Sequence, residues 1–231
     1  MRKFTLVWDL PTRLFHWCLV FAVFYSWLSI EVLENMQHHF YSGYVVLTLL
    51  LFRLVWGFVG SHHSRFKSFI FSPSVLLSYS RNITAKSAKR YLGHNPLGGV
   101  SVIIMIGVLL AQAMLGLFSS DDYFFGPLSG LISAESIARI SELHSLNSNA
   151  VLAIIGLHVL AIIYYKLIKS EPLTSAMLTG NKEIHESDTM PSSKIASRLL
   201  SLVVIILCVT LVYYLATAFL YMVPVSTESY Y

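Results

Sequence analysis

Five apolar stretches, each close to the roughly 20 residues a helix needs to cross a bilayer, constrain this chain more than any other feature. They run from Leu14 to Ile30, Phe40 to Gly60, Leu97 to Phe118, Leu146 to Ile168 and Leu199 to Val223. Backbone groups left unpaired in hydrocarbon are intolerable, so spans of this kind are helices packed as one bundle. With 55% hydrophobic and only 12% charged residues among 231, no soluble domain is left over. The expected fold is an all-α integral membrane protein: a four-helix transmembrane bundle in residues 1–180, then a polar linker and a fifth, C-terminal transmembrane helix in residues 181–231.

Asp9, Pro11, Arg13 and His16 interrupt the start of the first apolar run, and no small-residue cleavage site follows it, so it reads as a span and not as a signal sequence. Fourteen of the 16 Lys and Arg residues fall in the N-terminus, the second-to-third connection and the fourth-to-fifth connection. The positive-inside rule makes that side cytoplasmic, with the N-terminus in the cytoplasm and the C-terminus in the periplasm of an inner (cytoplasmic) membrane. The same rule explains the pI of about 9.0, and a nucleic-acid partner is not expected. Cys18 and Cys208 lie within spans, away from any C-x-x-C-H motif, which argues against covalent haem and a disulfide framework. Residues 61 to 93 are too interrupted to span, and part of this connection is expected on the membrane surface.

Ionisable groups inside spans are rare and are functional candidates by default. His144 and His158 are 14 residues apart in the fourth span, which returns to within roughly 40° on a helix and about 21 Å along it. They leave one face near opposite ends, His144 opening the helix. His16 in the first span lies at the depth of His158, and His39 at the start of the second lies at the depth of His144. Two facing imidazole pairs, one near each membrane surface, suit two non-covalent b-type haems with bis-histidine axial ligation. Zinc would want four converging ligands, or neighbours at i, i+4, and neither is present at either depth. His38, His62, His63 and His185 read as solvated groups at boundaries or in loops.

Arg53 stands 14 residues beyond His39 on nearly the same face. It is expected either to meet a haem propionate or to snorkel to the headgroups. Arg13, three residues before His16, reaches the same depth. His94 and Asn95 open the third span in "GHNPLGG", where Asn95 can cap and Pro96 suits the first turn. His94 is expected either at a polar site beside the inner haem, for a propionate or a quinone, or in a simple helix-start role.

The stretches "VWDLPTRLFHW", "HHFYSGYVVLTLLLFRLVWGFVG", "YLGHNPLGG" and "LHSLNSNAVLAIIGLHVL" together resemble the prokaryotic cytochrome b561 family, which includes the cytochrome b subunit of nickel-iron hydrogenases. The resemblance runs from about Lys3 to Gly180. It implies a four-helix core binding two b haems, with ligands at His16, His39, His144 and His158. His39 is preferred to His38 because it fits the H-x-x-x-G-Y spacing to Gly43 and Tyr44. It further implies electron transfer between a quinone pool, ubiquinone or menaquinone, and a periplasmic cytochrome c or oxidoreductase subunit, with no separate catalytic residue. Besides these partners and membrane lipid, a homodimer is left open. The nearest alternative is a cytochrome b anchor subunit of a hydrogenase or another oxidoreductase, and the different-class alternative is a haem-free transporter or scaffold. The acidic, aromatic connection "SSDDYFFGPLSGLISAESIARISEL" is a candidate docking surface or an interfacial aromatic belt.

Overall fold

Most spans begin where a polar side chain closes the first helical turn. In the computed structural model, which describes residues 3–83, 90–121, 123–184 and 195–222, Asp9 caps α1 (Leu10–Glu31) by accepting from Thr12 N at 2.9 Å, with proline in the first turn. Asn35 caps α2 (Met36–Val59) through His38 N, and Asn95 caps α4 (Pro96–Phe118) through Gly98 N. Between α2 and α4 lie two 3-10 turns, His62–Ser64 and Phe66–Ser68, and the short helix α3 (Pro73–Arg81). The fourth span is α5 (Ala134–Leu167) and the fifth is α7 (Arg198–Met222).

These five long helices are each long and apolar enough to cross a membrane. α2 is the central one, packed on α1, α4 and α7, while α5 packs chiefly on α4. At mid-height Val46, Leu50, Leu109 and Val151 form an apolar layer joined by Leu19, Val23 and Ile155. It separates two polar ends, here called the N-terminal end and the far end. Outside the bundle, side chains such as Phe21 and Leu157 are exposed, as lipid-facing residues must be. Cys208 of α7 packs with Phe15, Phe52 and Trp56.

Two parts differ from the sequence reading. α5 starts at Ala134, well before the apolar run, because Ser133 caps it through Ser136 N and Glu135 pairs with Arg139 one turn on at 2.6 Å. His144 therefore sits three turns inside the helix and does not open it, and the connection before it ends at Ser133. Asp122 of that connection and His185 lie outside the described residues.

The stretch after α5 also carries more structure than a linker needs: a short helix α6 (Leu173–Thr179) and a strand β2 (Asn181–Ile184). β2 pairs antiparallel with β1 (Lys3–Leu6), Lys3 opposite Ile184 and Leu6 opposite Asn181. A two-stranded sheet is marginal alone, and this one is pinned at its turn. Gly180 has φ 85°, and its carbonyl accepts from both Val7 N and Trp8 N. A Cβ there would sit 2.8 Å from Trp8 O, so no other residue fits without a shift. Lys182 donates to Tyr91 O at 2.7 Å and pairs with Glu171 at 3.2 Å, which also takes Arg90. This clasp covers the N-terminal end.

Candidate functional site

The far end holds an open cavity of about 570 Å³ lined by α1, α2, α4, α5 and the connection before α5. His39 and His144 face it, together with Gly43, Tyr44, Gln112 and Gly116. Their ring centres are 6.2 Å apart and their planes nearly perpendicular, at 89°. His39 Nδ1 lies 3.0 Å from the Ser26 carbonyl and 3.2 Å from its hydroxyl. A carbonyl only accepts, so Nδ1 carries the proton and Nε2 keeps its lone pair. His144 Nδ1 meets the Gln112 carbonyl at 3.1 Å, and Nε2 meets the Gln112 side-chain amide at 3.1 Å. Gly43 comes one turn after His39, and a Cβ built there meets nothing within 4 Å.

The N-terminal end gathers His16, His158, Arg53 and His94. His16 Nδ1 is buried with no hydrogen-bond partner among the described residues, and His158 is near enough to interact with the His16 ring. Arg53 is 3% exposed, so it does not snorkel. Its guanidinium lies 5.0 Å from the Phe66 ring centre and 5.9 Å from that of Phe69, and Nη1 has no partner among the described residues. His94 is wedged between Trp8 and Phe69, at 4.7 and 4.5 Å between ring centres, and its Nδ1 is likewise unpartnered. Arg13 donates through Nη1 to Leu178 O at 2.7 Å, tying α1 to the clasp, while its buried Nε has no partner among the described residues. Asn95, besides capping α4, donates to Tyr165 Oη, which bonds Tyr79 Oη at 2.9 Å.

Several residues outside the sequence-based set complete this arrangement. Asp9, 4% exposed, accepts from Thr12 N, from Trp56 Nε1 at 3.1 Å and from Ser64 Oγ at 3.4 Å, and it acts electrostatically on Arg53. His63 is half-buried, its ring close to the Gly93 backbone. Burial, then the neighbouring His62 and Lys182, push its pKa down to about 4, so this imidazole is neutral at physiological pH. Gln112 and Ser26 were legible as polar residues inside apolar runs, the signal that marks an intramembrane site.

The family model for prokaryotic cytochrome b561 matches residues 7–180, three quarters of the chain and all four candidate histidine ligands. The chain belongs to the prokaryotic cytochrome b561 family. Similar proteins include the "Probable Ni/Fe-hydrogenase B-type cytochrome subunit" of Rhodobacter capsulatus, 23% identical over 76% of this chain and 80% of that one. The like-named proteins of Bradyrhizobium diazoefficiens and Azotobacter vinelandii are 21% and 24% identical, covering 78% and 75% of this chain and 86% of each relative. No solved structure matches. This cytochrome b561 relative is thus a multi-pass membrane b-type cytochrome, and its cofactor is haem b.

The residues present fit that group. His39 and His144 line one cavity with ring centres 6.2 Å apart, and imidazole nitrogen is a donor that haem iron takes. The cavity volume lies within the range of about 300 to 1,000 Å³ for cofactor-sized sites. At the other end the unpartnered nitrogens of His16, Arg53 and His94 are buried groups of the kind a ligand satisfies.

Proposed function

We propose that this cytochrome carries two haems b, one that His39 and His144 would hold and one that His16 and His158 would hold, and conducts electrons across the inner membrane between the quinone pool and a periplasmic redox partner. The observation that carries the reading is the far-end pair, two half-buried imidazoles 6.2 Å apart facing a cavity. Haem iron supplies the one-electron chemistry. The chain supplies the rest. Ser26 holds the proton of His39 on Nδ1, leaving Nε2 to bind metal. The apolar layer at Leu50 and Leu109 keeps water out of the space between the two ends. Arg53, caged by Phe66 and Phe69, presents a fixed positive charge suited to a propionate, and Arg13 and the helix cap at Asn95 keep α1 and α4 in place around it. His94, flanked by Trp8 and Phe69, has the aromatic walls and free nitrogen that a quinone headgroup or propionate takes. The distribution of Lys and Arg supports a cytoplasmic N-terminal end and a periplasmic far end and C-terminus.

All four proposed ligands precede residue 180, which supports residues 1–180 as the di-haem unit. Residues 181–231 would then be an accessory segment, although β2 and α7 pack onto that unit. The relatives' printed names favour an oxidoreductase partner, and with it the anchor-subunit reading of the same haem chemistry.

Proteoliposomes containing the purified protein test the function. A membrane-soluble quinol reduces the haems, and an impermeant external oxidant such as ferricyanide reoxidises them. Haems that quinol leaves oxidised, or that no external acceptor discharges, contradict the conduit.

Two substitutions probe the ends separately. Gly43→Ala adds a single methyl group to the cavity wall and is expected to cost less haem than a larger side chain. Gly43→Leu fills the cavity beside His39 and lowers the haem-to-protein ratio from two to one while the bundle stays folded. Retention of both haems in the leucine variant would place the far-end haem elsewhere. Arg53→Leu retains both haems but lowers the reduction potential of the N-terminal-end haem, on the order of tens of millivolts, since a nearby cation favours the reduced state. Potentiometric titration reads this, and unchanged potentials would separate Arg53 from the haem.

A further inference from the structure

Three polar groups on α4 and α5 form one chain with a single self-consistent arrangement of protons. Asn147 Nδ2 donates to the Val108 carbonyl at 3.1 Å and to Gln112 Oε1 at 2.7 Å. Because a carbonyl oxygen only accepts, Val108 fixes which end of the Asn147 amide faces α4. That fixes Gln112 in turn: its oxygen is taken by Asn147, so its NH2 group is what faces His144 Nε2 at 3.1 Å. A donor there requires a lone pair on Nε2. The Gln112 backbone carbonyl, 3.1 Å from Nδ1, requires a proton on that nitrogen. Both demands name the same tautomer. Gly116 makes the approach feasible, since a Cβ at that position would lie 3.1 Å from the His144 ring.

We propose that Gln112, oriented by Asn147 and Val108, is a positioning residue that admits only the Nδ1–H tautomer of His144, the form whose Nε2 can bind iron. The inference rests on the assignment of His144 as an axial ligand. The side-chain amide gives way when Nε2 is taken by metal, while the backbone carbonyl goes on holding the Nδ1 proton. Polarity at position 112 therefore matters more than the amide itself. A leucine removes the donor to Nε2 and leaves the backbone carbonyl alone to hold the Nδ1 proton. A glutamate carboxylate presents only acceptor oxygens to Nε2 and draws a proton onto that nitrogen, whereas its protonated form donates to the Nε2 lone pair as the amide does.

The test compares Gln112→Leu, Gln112→Glu and Asn147→Leu in the full chain, with His144→Leu as reference, by haem stoichiometry, spin state and carbon monoxide binding. Gln112→Leu is expected to keep two low-spin haems, the far-end one held less tightly than in the wild type but more tightly than in Gln112→Glu. Gln112→Glu, assayed at alkaline pH where its carboxyl is ionised, is expected to hold the far-end haem about 10- to 100-fold more weakly, the range for lost outer-shell partners, with the remaining fraction high-spin and reactive to carbon monoxide. Asn147→Leu lets the Gln112 amide turn over and gives a mixed population. The N-terminal-end haem stays low-spin throughout and reports that the bundle is folded. Equal loss in Gln112→Leu and Gln112→Glu would reduce Gln112 to a packing role and overturn the proposal, as would a Gln112→Glu that stays fully low-spin at alkaline pH. Asn147→Leu decides in the same way if the glutamate variant does not fold, since wild-type behaviour there overturns it too. Retention of both haems by His144→Leu would overturn the ligand assignment itself, a result distinct from these.

Discussion

Replacing His144 with leucine is expected to remove one of the two proposed haems, and replacing His158 with leucine to remove the other. The two residues share a face of α5 but serve opposite ends of the bundle, with the layer of Val46, Leu50, Leu109 and Val151 between them. His144 faces His39 across the far-end cavity, so its loss leaves one axial ligand and an emptied hydrogen-bonding position beside Gln112. His158 is the neighbour of His16, whose buried Nδ1 has no hydrogen-bond partner among the described residues. The expected result for each variant is a haem-to-protein ratio of one, with the surviving haem keeping its own potential. Single variants that each lose both haems, while circular dichroism shows an intact bundle, would contradict two independent sites.

The second large effect is on stability. Asp9 is buried and joins three elements: it caps α1 through Thr12 N, holds the Trp56 indole of α2, and reaches Ser64 in the following turn. Asp9→Ala removes a helix cap worth about 1 kcal/mol and strands a buried indole N–H at about 1 to 3 kcal/mol, giving a loss of about 2 to 4 kcal/mol. Arg53, 3% exposed, also loses its nearby anion. Asp9→Asn keeps the cap through its one oxygen but turns an NH2 group toward the Trp56 indole N–H, and is expected to recover only the cap's share of the loss, about 1 kcal/mol. Unfolding in detergent micelles measures both. Equal stability of Asp9→Ala and wild type would remove Asp9 from the account of this end.

The spans were legible because lipid imposes length and apolarity on any crossing helix, and the histidines stood out because imidazoles are rare within spans. The first three turns of α5 were not legible. "AESIARISEL" has the composition of a loop, and its helicity depends on the Ser133 cap and the Glu135–Arg139 pair. The pairing of Lys3–Leu6 with Asn181–Ile184 joins opposite ends of the sequence, and nothing local to either strand announces it. Asp9 reads as an interruption of an apolar run, yet it lies just before the helix and caps it. His63 reads as a solvated loop histidine, and only the fold brings it against Gly93. Arg53 left two readings open. The burial settles one of them, because a residue 3% exposed between Phe66 and Phe69 does not reach the headgroups.

The measurement closest to the central claim is the number of haems per chain in the purified protein, by pyridine haemochrome absorbance against quantitative amino-acid analysis. Two imidazole pairs at opposite ends predict a ratio of two, released by acidic acetone because no C-x-x-C-H motif tethers either haem. A ratio of one would mean that only one end binds haem, and a ratio near zero would contradict both.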